Sequence, residues 1–164
     1  MSIAAGMAMG LRIGSIDSKV YVVMGDGELC EGSNWEAAAL AAHYELENLV
    51  VFVDYNGLQI SGNVRDIMNM TPIDKHFEVF GWAVTNIDGN NMGEIMDILD
   101  SIPLKKGKPN LIVAHTTKAK GLKIGEGKVE YHYWNPSPEE LQEAQNDLLC
   151  ELERLQKEGQ SNGN

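Results

Sequence analysis

Cysteine is scarce. Only Cys30 and Cys150 occur in 164 residues, far apart in sequence, so a disulfide framework is excluded. Basic charge is also short: 24 acidic side chains face 13 Lys and Arg, for a formal net charge of −11. That imbalance argues against nucleic acid and anionic membranes as general partners. No apolar run reaches the roughly 18 residues that a membrane span needs. No basic segment precedes the small, apolar opening SIAAGMAMGLR, so it does not read as a signal peptide. A cytoplasmic protein with one sizeable core is expected, with no internal repeat and no second domain.

What is present concentrates in Val22–Gly62, VVMGDGELCEGSNWEAAALAAHYELENLVVFVDYNGLQISG. Val20–Met24 is an apolar run that reads as a buried strand and stops at Gly25-Asp26-Gly27. An alanine-rich helix is predicted from Ser33 to about Tyr44, and a second apolar run, Leu49–Val53, ends at Asp54-Tyr55-Asn56-Gly57. In a βαβ unit both loops fall at the same edge of the sheet.

The first loop lacks the third glycine of a dinucleotide fingerprint, because Cys30 stands there. It carries Asp26 instead. A bare carboxylate about 5 Å from a phosphate would cost roughly 3 kcal/mol at an effective dielectric near 20. A phosphate reading therefore needs a divalent cation in between, most naturally magnesium. Asn56 can add a second oxygen and the backbone near Leu58 a third. An EF-hand starting at Asp54 fails, with Leu58, Gln59 and Arg65 at its fifth, sixth and twelfth positions. Taken singly, each loop also reads as an ordinary turn.

Together the loops resemble something specific. Gly25-Asp26-Gly27, Glu36 after eight residues, Ala41 after four more and Tyr55-Asn56 after thirteen match the thiamine-diphosphate motif, with Tyr55 replacing the first Asn of the usual pair. Within that superfamily, GDGELCEG-x-x-WEAA, AAHYELENL and DYNGLQISG resemble transketolase, and Phe80-Gly-Trp82, Asp88-Gly89, Ala114-His-Thr116 and Val129-Glu-x-His132 extend the likeness over roughly residues 1–135.

The resemblance implies thiamine diphosphate and Mg2+ as cofactors. Asp26, Asn56 and the carbonyl of Leu58 would hold the metal, and the Gly25 backbone would donate to a phosphate oxygen. Gly27 would permit close approach, and Ile60 would touch the thiazolium. His132 would reach the diphosphate and a substrate oxygen. Glu31 and Glu36 would lie in a carboxylate network at a dimer interface, so a homo-oligomer is expected. The activity implied is transfer of a two-carbon ketol unit between sugar phosphates. The pyrimidine-activating glutamate of the family belongs to another domain, so a partner, a C-terminal transketolase subunit or domain, is implied. In the family, roughly the first third of this domain precedes the opening helix. Ser61 stands where an aspartate is common, and Ala119 where glycine is preferred. Two alternatives are a non-catalytic binding or regulatory module that keeps the loops, or another thiamine-diphosphate enzyme component.

Further along, Ser33-x-x-Glu36 predicts a capping box for the helix after Gly27. His43 reads as an ordinary histidine of that helix rather than a ligand. Residues 61–70 show no regular pattern. Thr71-Pro72-Ile-Asp74 predicts a helix start with Thr71 as N-cap. Strands are predicted at 82–87 and 111–115, and Asn91-x-x-Glu94 caps the helix between them. Strands alternating with helices indicate an α/β fold, a mainly parallel sheet with helices on both faces. Residues 116–128 hold four lysines and read as a solvated loop or a lid over phosphate. Ser137-Pro138-Glu-Glu140 opens a last helix, whose stripe runs through Leu141, Ala144, Leu148, Leu149, Leu152 and Leu155. Gly6 and Gly10, on one face of the first helix, permit close backbone packing. The expected organisation is a single diphosphate-binding domain over 1–158 and a disordered tail over 159–164.

Overall fold

The computed structural model describes residues 1–161, in two compact units, the first Met1–Thr116 and the second opening at Thr117. The first unit runs α1 (Ser2–Ile13), β1 (Val20–Gly25), a 3-10 turn (Asp26–Cys30), α2 (Gly32–His43), β2 (Leu49–Tyr55), β3 (Leu58–Gln59), β4 (Gly62–Asn63), α3 (Val64–Ile67), α4 (Ile73–Phe80), β5 (Ala83–Asp88), α5 (Met92–Asp100) and β6 (Asn110–His115).

Four strands form one sheet in the order β1-β2-β6-β5, every neighbouring pair parallel. Each of the four predicted strands is one of these. Their side chains divide by alternation. Val20, Met24, Leu49, Val51, Val53, Leu111 and Val113 pack with Ala4, Ala5, Ala8, Ala38, Ala41, Ile73 and Phe77, so α1, α2 and α4 cover one face. Val50, Ile112, Ala114 and Ile87 meet Ile95 and Ile98 of α5 on the other. Two crossovers, through α2 and α4, advance the chain in one direction across the sheet. The third, through α5, reverses it from the opposite face, as a common right-handed connection requires. On edge strand β1 the second face is bare: Tyr21 and Val23 are 49% and 72% exposed.

All four strands end at one edge. That edge gathers Gly25–Gly27, Asp54–Leu58, Asp88 and His115–Thr116. At the opposite edge the buried Asn110 is fully engaged. Its amide donates to the carbonyls of Glu47 (2.9 Å) and Leu49 (3.1 Å), and its oxygen accepts from the Leu104 N–H (2.8 Å).

Helix starts divide into those a local rule explains and those it does not. Asn91 Oδ1 accepts from the N–H groups of Gly93 and Glu94, and the Glu94 carboxylate accepts from the Asp88 N–H. The expected Ser33–Glu36 box does not form. Helix α2 starts earlier, at Gly32, with Glu31 in the cap position and no side-chain cap. Thr71 is likewise one position too early, since Pro72 is the N-cap of α4 and the Thr71 hydroxyl donates to Asn69 instead. In α1 the alanine face is the packed one. Ala4, Ala5 and Ala8 are buried, while Gly6 and Gly10 face outward with nothing within 4 Å of where a Cβ would stand. Within residues 61–70, expected to be irregular, Gly62–Asn63 form β4, which pairs with β3 in a hairpin, and Val64–Ile67 form α3.

The second unit holds a 3-10 turn (Val129–Tyr133) and α6 (Pro138–Ser161). Ser137 and Glu140 make the expected reciprocal cap: the Glu140 carboxylate accepts from the Ser137 N–H (2.8 Å) and Ser137 Oγ from the Glu140 N–H (3.2 Å). Of the leucine stripe, Ala144 is buried while Leu148, Leu149, Leu152 and Leu155 stay about half exposed. The helix continues through Ser161, and positions 162–164 of the expected tail lie outside the described residues.

The loop from Thr117 is tied to itself. Gly127 N–H donates to the Lys118 carbonyl (2.9 Å), and Lys120 pairs with Glu126 (2.8 Å). Ala119 within it sits at φ +55°, the left-handed region that costs a residue with a Cβ about 1–2 kcal/mol. Ala119→Gly is therefore expected to stabilise the chain, by roughly 0.5–1 kcal/mol after the added unfolded-chain entropy of glycine. Urea denaturation measures this; a loss of stability would mean the loop relieves the strain in another way.

Candidate functional site

Two loops of the sheet edge are joined by one buried carboxylate. Asp26, 1% exposed, opens the 3-10 turn after β1. Its Oδ1 accepts from the Gly27 N–H of its own loop at 2.9 Å. Its Oδ2 accepts from the Gly57 N–H of the loop after β2 at 2.7 Å. Strand register explains the meeting, since Gly25 and Asp54 are Cα partners at the ends of β1 and β2. Burial is the main reason that the Asp26 carboxyl is held above its ordinary pKa. The negative charge of Asp54 pushes in the same direction, and the N–H groups of Gly57 and Gly27 oppose both.

Asn56 is fixed from two sides. Its amide donates to Asp54 Oδ2 at 3.0 Å, and its oxygen accepts from the Leu58 N–H at 2.9 Å. Asp54 is itself held by a hydrogen bond from the Thr116 hydroxyl at the end of β6. A carboxamide oxygen and a carboxylate oxygen each have lone pairs beyond these single bonds. Asp26 and Asn56 thus present two oxygens at the joined loops, with the carbonyl of Leu58 next in chain. The described residues contain no cluster of three or more His, Cys, Asp or Glu suited to a metal. A set made of one carboxylate, one amide and one carbonyl suits a hard cation that shares its remaining positions with phosphate and water, as magnesium does.

The other residues expected at the site fall into distinct places. Gly25 N–H donates to Glu28 Oε2 at 2.6 Å, so a carboxylate of the chain already takes this donor. Gly27 is needed for a reason that the sequence did not disclose. A Cβ there would stand 2.9 Å from Gln59 Oε1 and 3.0 Å from Gln59 Cβ. Ile60 is exposed at the tip of the β3–β4 hairpin. Glu31 and Glu36 are both exposed at the start of α2. His43 is exposed and lies edge-on to Tyr44, an ordinary surface histidine. His132 belongs to the second unit, half-buried against Tyr133 with its Nδ1 lacking a partner. Sequence reasoning missed Glu28, Asp54, Gln59 and Thr116. For Asp54 the Asp-x-Asn spacing was the available signal, and Glu28 lies in the turn itself, three residues after Gly25; only folding brings Gln59 and Thr116 to the site.

Residues 8–152 match the family model described as transketolase, thiamine diphosphate binding domain. The chain belongs to the transketolase family. It is 39% identical over 158 residues to an apulose-4-phosphate transketolase subunit of Phocaeicola vulgatus, covering 96% of this chain and 56% of that protein. It is 38% identical over 131 residues to a 6-deoxy-6-sulfo-D-fructose transketolase subunit of a Clostridium species, covering 80% of this chain and 48% of that one. Among solved structures, the transketolase of Campylobacter jejuni superposes with a TM-score of 0.82 at 33% identity, over 88% of this chain and 24% of that one. The chain thus spans about half the length of the curated subunits it matches, and the domain it matches in this family binds thiamine diphosphate. No helix among the described residues is long and apolar enough to cross a membrane.

The raised Asp26 pKa has a sign that can be tested. Its folded value lies above the ordinary 3.8, so ionisation of Asp26 opposes folding of the ligand-free chain. The stabilising contribution of this group is full below the ordinary value and is lost as pH rises through the raised one. A cation at Asp26 competes with the proton and favours the ionised form. Magnesium should therefore raise the unfolding temperature more at about pH 7 than at about pH 4. An equal rise at both, read by differential scanning fluorimetry, would place the cation away from Asp26.

Proposed function

We propose that this chain is the magnesium- and diphosphate-binding part of a transketolase that works with a partner subunit or domain carrying the pyrimidine site. The observation that supports it most is the Asp26 carboxylate, which accepts one N–H from each loop and so holds Asp26 and Asn56 together at the sheet edge. In this reading Asp26, Asn56 and the Leu58 carbonyl hold Mg2+. The cofactor, when bound, supplies the carbanion chemistry by which a two-carbon ketol unit passes between sugar phosphates.

The work of the chain's own residues is placement. Asp26 neutralises part of the cation charge, and Asp54 orients the Asn56 amide. Ile60, exposed at the hairpin tip, gives an apolar surface for the thiazolium ring. The Gly25 N–H can serve a phosphate oxygen only once the Glu28 carboxylate swings out. His132, with its unpartnered Nδ1, is the candidate for contact with diphosphate and substrate. Exposed Glu31 and Glu36 suit a carboxylate network between copies, in a homo-oligomer. The family match crosses both compact units, which supports treating residues 1–158 as one working domain. Sugar phosphates are the substrate class. Their charge keeps them inside a bounded compartment, in line with a cytoplasmic location. The two named relatives act on different sugars, so no particular donor is assigned.

Asn56→Ala tests the second ligand. It is expected to weaken magnesium-dependent thiamine diphosphate binding about tenfold, through loss of one oxygen and of the Asp54 contact. Unchanged affinity by calorimetry would remove Asn56 from the metal set. The function as a whole is tested by mixing the chain with the C-terminal subunit of a split relative and following ketol transfer. Cofactor binding without transfer would leave a non-catalytic module as the better reading.

A further inference from the structure

We propose that Gln59 is a ligand-binding residue of this site, whose side-chain amide donates a hydrogen bond to an oxygen of the diphosphate held at the Gly25–Gly27 turn. The proposal rests on the reading of the site given above.

Two independent observations converge on Gln59. Its Nε2 is buried and has no hydrogen-bond partner. Burying a donor without an acceptor is unfavourable, and native structures retain such groups sparingly. The second observation is position. Gln59 lies on β3, and its side chain fills the space that the missing Cβ of Gly27 leaves open, with Oε1 2.9 Å and Cβ 3.0 Å from where that Cβ would stand. The orphan amide is therefore seated on the very turn that carries Asp26.

The polar side chains of the two loops bond to backbone N–H groups, not to Gln59. Glu28 Oε2 takes the Gly25 N–H, Asp26 takes the N–H groups of Gly27 and Gly57, and Asn56 Oδ1 takes that of Leu58. What the Gln59 amide lacks is an acceptor, and a diphosphate oxygen is one. A neutral amide suits the place. It adds a hydrogen bond to the anion without adding a positive charge that would compete with the cation at Asp26. The hairpin explains how the donor is delivered: pairing of Gln59 with Gly62 holds β3 in place, so Gln59 stays fixed while Ile60 occupies the tip.

The chemistry separates donor from acceptor. Gln59→Glu keeps length and shape but replaces the donor with a carboxylate, and Gln59→Leu keeps bulk over Gly27 but removes hydrogen bonding. Calorimetry with magnesium and either inorganic pyrophosphate or thiamine diphosphate is run on the wild type and both variants. Gln59→Leu is expected to weaken both ligands by on the order of tenfold, and Gln59→Glu by more, because of charge repulsion. Equal affinity in all three proteins overturns the Gln59 role alone and leaves the metal–diphosphate reading standing. Failure of the wild type to bind either ligand overturns that reading, and this role with it. A measurement without mutation guards against a variant that does not fold. In the wild type, the Gln59 side-chain amide resonances should shift on adding magnesium pyrophosphate. Resonances that stay in place while other signals of the turn move would contradict the proposal.

Discussion

Asp26→Ala is expected to abolish magnesium-dependent binding of thiamine diphosphate, with at least a hundredfold loss of affinity. Three losses fall on one residue. The cation loses an oxygen ligand and the charge opposite it. Both loops lose their common acceptor, because the N–H groups of Gly27 and Gly57 each bond to Asp26. Each buried N–H left without an acceptor costs about 1–3 kcal/mol. The first two effects act on binding and the third on loop geometry, and Asp26→Asn separates them. Asn keeps one acceptor oxygen but neither the charge nor the second acceptor. If charge dominates, Asp26→Asn binds as poorly as Asp26→Ala. If the joint between loops dominates, it recovers part of the affinity. Circular dichroism of the variants checks that the sheet, which lies below the turn, is intact. Unchanged binding in Asp26→Ala would mean that Gly25-Asp26-Gly27 is only a turn.

The second large effect is an absence of turnover. The chain alone, with magnesium and thiamine diphosphate in excess, is expected to give no ketol transfer. Forming the carbanion needs a carboxylate to activate the aminopyrimidine, and the family resemblance places that glutamate in another domain. The carboxylates seen at the sheet edge have other work: Asp26 and Asp54 hold the two loops, Glu28 accepts from the Gly25 N–H, and Asp88 accepts from the Asn90 N–H. Surfaces suited to a partner are present. Tyr21 and Val23 leave one face of edge strand β1 bare, although parallel sheets are normally covered on both faces. Leu148, Leu149, Leu152 and Leu155 are half exposed along α6. Adding a C-terminal transketolase subunit from a split relative is expected to restore transfer. Transfer by the chain alone would refute the requirement for a partner carboxylate.

Much of this was readable from sequence because it depends on local rules. The four predicted strands became the four parallel strands, and the continuous apolar runs of β2 and β6 match their largely buried positions at the centre of the sheet. Caps at Asn91 and Ser137 formed as expected, because each involves residues only three apart. The Ser33–Glu36 box failed because the cap position of α2 falls two residues earlier, at Glu31, directly after the 3-10 turn that Asp26 opens. The β3–β4 hairpin was invisible because strands of two residues carry no alternation to read. Gly6 and Gly10 looked like a packing face, yet the alanines of the same helix took that role against α2. At the site, the spacing of Asp26 and Asn56 was enough to bring their two loops to one sheet edge. It could not disclose that Gln59 lies over Gly27 or that Thr116 holds Asp54, because strand order alone decides which loop ends meet.

The most direct test of the metal–diphosphate site is a calorimetric titration of the wild-type chain with thiamine diphosphate, run with magnesium and again with the metal chelated. The expected result is saturable binding that requires magnesium and is lost in Asp26→Ala. Binding of the same strength without a divalent cation, or none in its presence, would contradict it.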